Sequence, residues 1–247
     1  LVMRKLGIRA AEVSTQIVQR DRHAEFVCLL AIIASTLDHF ATEVRELQRP
    51  EIGEVYEPFE ERRQVGSSTM PHKRNPELCE RICGLAKVMR GLVVPALENV
   101  PTWHERDLTQ SASERFILPE ACIIVDYMLH LMTKILQNLD VDEERMRNNL
   151  DLTEGRAMSE AIMMALAAKG MNRQEAYELV RRLSIKSMNE KVPFKAVLLQ
   201  EKSILRLLDR EEIGEGLDPR NYLGTSVTQV EQAIGRTKEE RHRRGLE

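Results

Sequence analysis

The sequence predicts an all-α protein, and three observations carry that expectation. From Ala24 to Arg49 the chain contains neither Gly nor Pro. Ala, Leu, Glu, Arg and Met are plentiful while aromatics make up only 4% of the 247 residues, a composition of strong helix formers. No Asn-Gly or Asp-Gly hairpin turn and no sustained apolar alternation occurs. The expected organisation is a long-helix bundle over residues 1–150, followed by a small helical C-terminal domain over 151–247.

In order along the chain, Phe26, Leu30, Ile33, Leu37, Phe40, Val44 and Leu47 recur at alternating spacings of four and three. That is a heptad seam on one long helix, suited to side-by-side packing. Leu78, Ile82, Leu85, Met89 and Leu92 repeat the pattern, and Pro95 should bend or end that helix. The run "PEACIIVDYMLHLMTKILQNL" is apolar on nearly every face, which suits a bundle interior or a subunit interface. Pro119 would sit in its first turn. Past Asp140 the helices should shorten. Asp140 with Glu143, Asn172 with Glu175 and Ser226 with Gln229 have capping-box spacing, and Gly170 is placed like a C′ glycine. The tail "GRTKEERHRRGLE" should be a solvated, fraying helix end.

Composition narrows the function. With 36 basic against 39 acidic residues and a net charge of −3, no nucleic-acid partner is expected. The longest apolar run, "VCLLAIIA", is short for a bilayer span, no signal peptide is visible, and no membrane role is expected. Of the four cysteines, Cys79 and Cys83 stand at i, i+4 with no further ligand nearby; with Cys28 and Cys122 they read as free thiols, without a metal, in a cytoplasmic protein. No Gly-rich nucleotide fingerprint occurs, so no cofactor is expected. The chain opens on Leu rather than Met, which suggests a segment of a longer protein.

Three polar clusters interrupt the helical pattern. In "GSSTMPHKRNP" (66–76), small residues expose N–H groups and hydroxyls that can form an anion nest. Pro76 at a first helical position, with Glu77 beside it, places the loop near a helix N-terminus that favours an anion. Lys73 and Asn75 add charge and donors. A Ser-rich surface turn describes the same residues. In "WHERDLTQSASER", Ser111 and Arg115 would share a helix face with Arg106 near it, a set able to clasp a phosphate or dicarboxylate. A surface helix with internal pairs to Glu105 and Glu114 is the other account. In "STQIVQRDRHAEF", Thr15 and Gln16 precede a crowded helix start at Arg20, Asp21, Arg22 and His23; capping and salt bridging compete with presenting Gln16 to a ligand. His39, inside the long helix, reads as a packed histidine.

Taken together, these segments resemble a known family. "GSSTMPHKRNP" is similar to the signature loop of the fumarase/aspartase superfamily of lyases. "STQ…RDRHAEF", "WHERDLTQSASERFILPEA" and "LDPRNYLG" resemble the adenylosuccinate lyase family within it, over essentially the whole chain. The resemblance implies an all-α bundle and a β-elimination that releases fumarate from adenylosuccinate, giving AMP, and from SAICAR, giving AICAR, in purine biosynthesis. It implies Ser67 as general base and Lys73 as its charge partner. It implies substrate contacts from Gln16, Ser68, Asn75, Arg106, Ser111 and Arg115, with Thr15, Met70 and Glu80 in support. It also implies a homotetramer with shared active sites. None of the six histidines matches the family's general acid, so the isolated chain is expected to be inactive. A 3-carboxy-cis,cis-muconate cycloisomerase-like lyase carries a nearly identical loop and is the first alternative. A non-catalytic helical assembly fragment is the second.

Overall fold

A computed structural model describes residues 2–59, 74–104 and 106–246. It divides into two compact units, one ending at Arg145 and one beginning at Met146. Ser67, Ser68, Met70 and Lys73 lie outside the described residues, as does most of the 66–76 loop.

The first unit opens with the short helix α1 (Val2–Leu6) and is built on α2 (Asp21–Leu47), α3 (Glu77–Gly91), α4 (Val93–Glu98) and α5 (Thr109–Gln137). Helix α3 runs antiparallel to α2: Arg90 reaches Asp38 and Ser35, while Arg45, a turn and more later on α2, reaches Cys83. Helix α5 runs parallel to α2, with Glu114 beside Arg20 and His23 at one end. Strand β2 (Asp140–Val141), after α5, returns to β1 (Val55–Tyr56), after α2, in a two-residue antiparallel ladder. Helix α6 (Glu143–Asp151) begins beyond it.

The core of this unit differs in part from the predicted seam. Leu30, Leu37 and Val44 are buried and Ile33 is packed against them, but Phe26 and Phe40 are exposed, Phe40 by 54%. The stripe that packs most completely is Ala24, Val27, Ala31, Ala34 and Ala41. Small side chains let α3 and α5 approach α2 closely, and a search for large apolar residues passes over them. Leu78, Ile82 and Met89 are buried as expected. Burying each such side chain stabilises the fold by about 2 kcal/mol.

The prolines act differently from each other. Helix α3 stops at Gly91, the residue whose carbonyl the Pro95 ring would crowd, and α4 starts two residues on. Pro119 is not in a first turn. It lies eleven residues into α5, exposed, because the helix already begins at Thr109. Its missing N–H leaves the Arg115 carbonyl without the usual helical donor. By length and composition alone α2 and α5 could each cross a bilayer, which the short run "VCLLAIIA" does not indicate; each lays one apolar stripe into the bundle core.

The second unit is a cluster of shorter helices: α7 (Ser159–Ala168), α8 (Arg173–Glu190), α9 (Phe194–Leu198), α10 (Lys202–Leu205), α11 (Arg210–Gly216) and α12 (Ser226–Arg243). Ile162, Leu166, Val180, Leu183, Phe194, Leu198, Ile204 and Ile213 form its core. Gly170, at φ 97°, ends α7 with the Met171 N–H bonded to the Leu166 carbonyl and its own N–H to Ala167, a Schellman close. Asn172 caps α8 through Gln174 N–H, without a reciprocal bond from Glu175 among the described contacts. The full capping box is Asp209 with Glu212 on α11. Asp140 lies in β2, so Asp142 takes the cap of α6 by accepting the Arg145 N–H at 2.8 Å. At α12 the cap position is Thr225, one residue before Ser226.

Candidate functional site

At the end of the bundle where α2 begins, two of the three polar clusters meet. Arg20 precedes the first turn of α2, and its Nε lies 2.7 Å from Glu114 Oε1, an ion pair without hydrogen-bond alignment. His23 Nδ1 lies 2.9 Å from the same oxygen. A carboxylate only accepts, so Nδ1 carries the proton and donates. Glu114 therefore turns inward to α2 and does not pair with Arg115 on its own helix. That joins the start of α2 to the first turns of α5, where Ser111 and Arg115 stand one turn apart as expected. Gln16 and Arg115 are exposed. Thr15 makes a local turn, its hydroxyl bonded within two residues to Ile17.

Arg106 lies ahead of α5 in an irregular segment ordered by Asp107. The Asp107 carboxylate accepts the Trp103 N–H and, through its other oxygen, the Thr109 N–H and hydroxyl. Those bonds, the Thr109 hydroxyl foremost, hold the Asp107 carboxyl below the usual range. Trp103 is 81% exposed and His104 has a positive φ of 37°, a strained backbone of the kind that collects at functional sites.

The third cluster is at the other end of α2. Asn75 precedes α3, and Pro76 takes the cap position, one residue ahead of its expected place. The first turn of α3 was expected to receive a ligand anion. The chain fills that place itself: Glu57, only 4% exposed, accepts the Leu78 N–H at 3.1 Å and the Cys79 N–H at 3.0 Å. The Glu77 N–H goes to the Asn75 carbonyl and the Glu80 N–H to Pro76. All four first-turn amides thus have partners within the protein. Cys79 is pushed up, first by burial and then by the Glu57 charge, so it stays a neutral thiol. Glu80 is exposed on the same turn.

These two ends are far apart. Some 27 residues of α2 separate the Arg20–His23 contacts from Gln48, which bonds to Glu57 and to the Arg74 carbonyl. At 1.5 Å per residue that is roughly 40 Å. One chain therefore places Ser111 and Arg115 beside the start of α2, which Gln16 precedes, and Asn75 and Glu80 at the other end, but does not unite the two groups. Glu57 and Gln48 were missed from sequence, and Glu114 pairs with Arg20 and His23 at the start of α2 where an internal pair on its own helix was the reading. Glu57 sits in the acid-rich "EVYEPFEE", where nothing in spacing marks one carboxylate as buried.

Comparison with known proteins gives a consistent set. Residues 155–233 match the family model described as adenylosuccinate lyase C-terminus, and residues 1–91 match the one described as lyase. An adenylosuccinate lyase of Pyrococcus abyssi is 49% identical over 100% of this chain and 54% of its own length. That of Methanocaldococcus jannaschii is 44% identical, over 96% of this chain and 51% of its own length. The chain thus spans about half the length of the curated relatives it matches. Among solved structures, the 3-carboxy-cis,cis-muconate lactonizing enzyme from Pseudomonas putida aligns with a TM-score of 0.84 at 32% identity, over 96% of this chain and 52% of that one. A fumarate lyase from Mesorhizobium aligns at 0.82 and 29%, over 95% and 51%.

Proposed function

The chain belongs to the adenylosuccinate lyase family, and from that premise we propose that it forms part of an enzyme that releases fumarate from adenylosuccinate, and from SAICAR, in purine biosynthesis. In the reaction a base removes the proton from the carbon next to a carboxylate. The C–N bond then breaks, its electron pair passes to the departing nitrogen, and that nitrogen takes a proton. Negative charge grows on the carboxylate as the proton leaves, so fixed donors and cations there lower the barrier. We assign the base to Ser67, its charge partner to Lys73 and a carboxylate contact to Asn75, with Ser68, Met70 and Glu80 beside them. Gln16, Arg106, Ser111 and Arg115 take the nucleotide, their guanidiniums suiting a phosphate.

The observation that carries this reading is the division of the polar residues between the two ends of α2, roughly 40 Å apart. Such a set acts as one site only when two chains lie side by side in opposite directions. Exposed apolar residues on the helices support that arrangement: Phe26, Ile32 and Phe40 on α2, and Phe116, Ile123 and Leu136 on α5. A homotetramer in the cytoplasm, with sites shared between subunits, fits these faces. The muconate cycloisomerase-like alternative has the structural likeness in its favour. The higher identity to adenylosuccinate lyases, 44–49%, favours the nucleotide substrate.

The test is turnover of adenylosuccinate by the full-length protein, followed by absorbance. Ser67→Ala should lower kcat by roughly a hundredfold or more. Unchanged turnover in that variant removes Ser67 as the base, and turnover of a carboxymuconate alone favours the alternative.

A further inference from the structure

Glu57 is the residue that the reaction scheme leaves unexplained. It follows β1, whose pairing with β2 (Val55 opposite Val141, Tyr56 opposite Asp140) sets its height in the bundle. The turn before β1 is held in place as well: Arg145 donates to the carbonyls of Ile52 at 2.8 Å, Pro50 at 3.2 Å and Glu51 at 3.3 Å. Gly53, at φ 65°, lets that turn pass Tyr56, since a Cβ there would come within 2.9 Å of the Tyr56 hydroxyl. From this base the Glu57 carboxylate crosses to α3 and takes the amides of Leu78 and Cys79, one on each oxygen.

Gln48 closes the circuit. Its Oε1 accepts the Glu57 N–H at 2.9 Å and its Nε2 donates to the Arg74 carbonyl at 3.4 Å. Two buried polar side chains thus tie the end of α2, the strand ladder and the approach to α3 into one unit, and Asn75 stands inside it. Charge-assisted bonds from backbone amides at a helix start are strong, and the α3 dipole adds to them.

We propose that Glu57, oriented by Gln48, is a positioning residue for the lyase reaction: it fixes the first turn of α3 and so the place from which Asn75 meets the substrate carboxylate. A second consequence follows. Because Glu57 occupies the amides of Leu78 and Cys79, the first turn of α3 does not itself hold the substrate carboxylate. The proposal rests on the lyase reading above.

The test uses Glu57→Gln, which keeps the shape but sets an amide NH2 against one backbone N–H. In the full-length enzyme, assayed well below its Tm, kcat for adenylosuccinate should fall about tenfold or more with KM changed by less than about threefold. Combined with Asn75→Ala, the loss should be no greater than in Asn75→Ala alone, because both act through one contact. Ile82→Val, a core change of similar thermal cost on α3, should leave kcat unchanged. Hydrogen exchange at the Leu78 and Cys79 amides should quicken in Glu57→Gln whether or not any substrate turns over. A wild-type enzyme inactive on adenylosuccinate would end the lyase reading, and exchange would still decide whether Glu57 holds the turn. Unaltered kcat, a loss that adds fully to that of Asn75→Ala, or unaltered exchange overturns the proposal.

Discussion

Glu57 and Glu212 are both carboxylates at helix starts, one buried within the first unit and one partly open to solvent in the second. Glu212 is only partly open to solvent in the capping box of α11, accepting the Asp209 N–H and pairing with Lys169 at 2.6 Å. Lys169 first, then the Asp209 amide, holds its carboxyl below the ordinary 4.5. A lowered carboxyl stabilises the fold above its ordinary value, and that contribution fades as pH falls through the folded one. Glu212→Gln should therefore lower the Tm of the second unit at neutral pH, with the gap to wild type closing as pH falls below the ordinary 4.5 and through the lowered folded value, and shrinking in high salt. A gap that is constant in pH would show that the ion pair contributes nothing. At the far end of the first unit, Arg115→Ala should raise KM for adenylosuccinate by about tenfold or more if Arg115 has the proposed role of a charged contact to the nucleotide; an unchanged KM would move the phosphate site elsewhere. Ser111 and Arg115 were legible because helical spacing alone puts them on one face. Glu57 was not, because its burial depends on a strand ladder that pairs Val55 with Val141 and Tyr56 with Asp140, far along the chain.

At the scale of elements, the long helices were legible and their contact faces were only half so. Leu30, Leu37 and Val44 follow the predicted seam into the core, but the closest packing runs along Ala24, Ala31, Ala34 and Ala41. Ala34 is fully buried, so Ala34→Leu should overfill the α2 interface and destabilise the bundle by about 1–3 kcal/mol. Thermal unfolding checks this, and an unchanged Tm would mean the helices are not in close contact there. Leu37→Asp should be worse, since it buries an unpaired charge. The start of α5 was misplaced by ten residues because Pro119 reads as a helix opener. Packing of Ile117 and Ala121 into the core outweighs the bond that the proline removes. Asp140 was misread as a cap because a two-residue strand leaves no periodicity to find.

For the whole molecule, the all-α class was plain from composition and periodicity, while the site was legible only as residue types. Sequence brings Gln16, Asn75, Ser111 and Arg115 into one list, and the fold separates them along α2. The apolar residues that the first unit leaves exposed, Phe40 at 54% and Phe116 at 72% among them, suit contact with further copies. Phe40→Asp should weaken self-association with little change in helix content, measurable by sedimentation. The most direct measurement of the central claim, that one site is assembled from two chains, is complementation. Asn75→Ala and Arg115→Ala full-length proteins, each of low activity, are mixed one to one, dissociated and reassembled. Random pairing should restore about a quarter of the sites to the native set, and activity should rise well above either parent. A mixture no more active than its parents would place both residues in a site within a single chain and contradict the account.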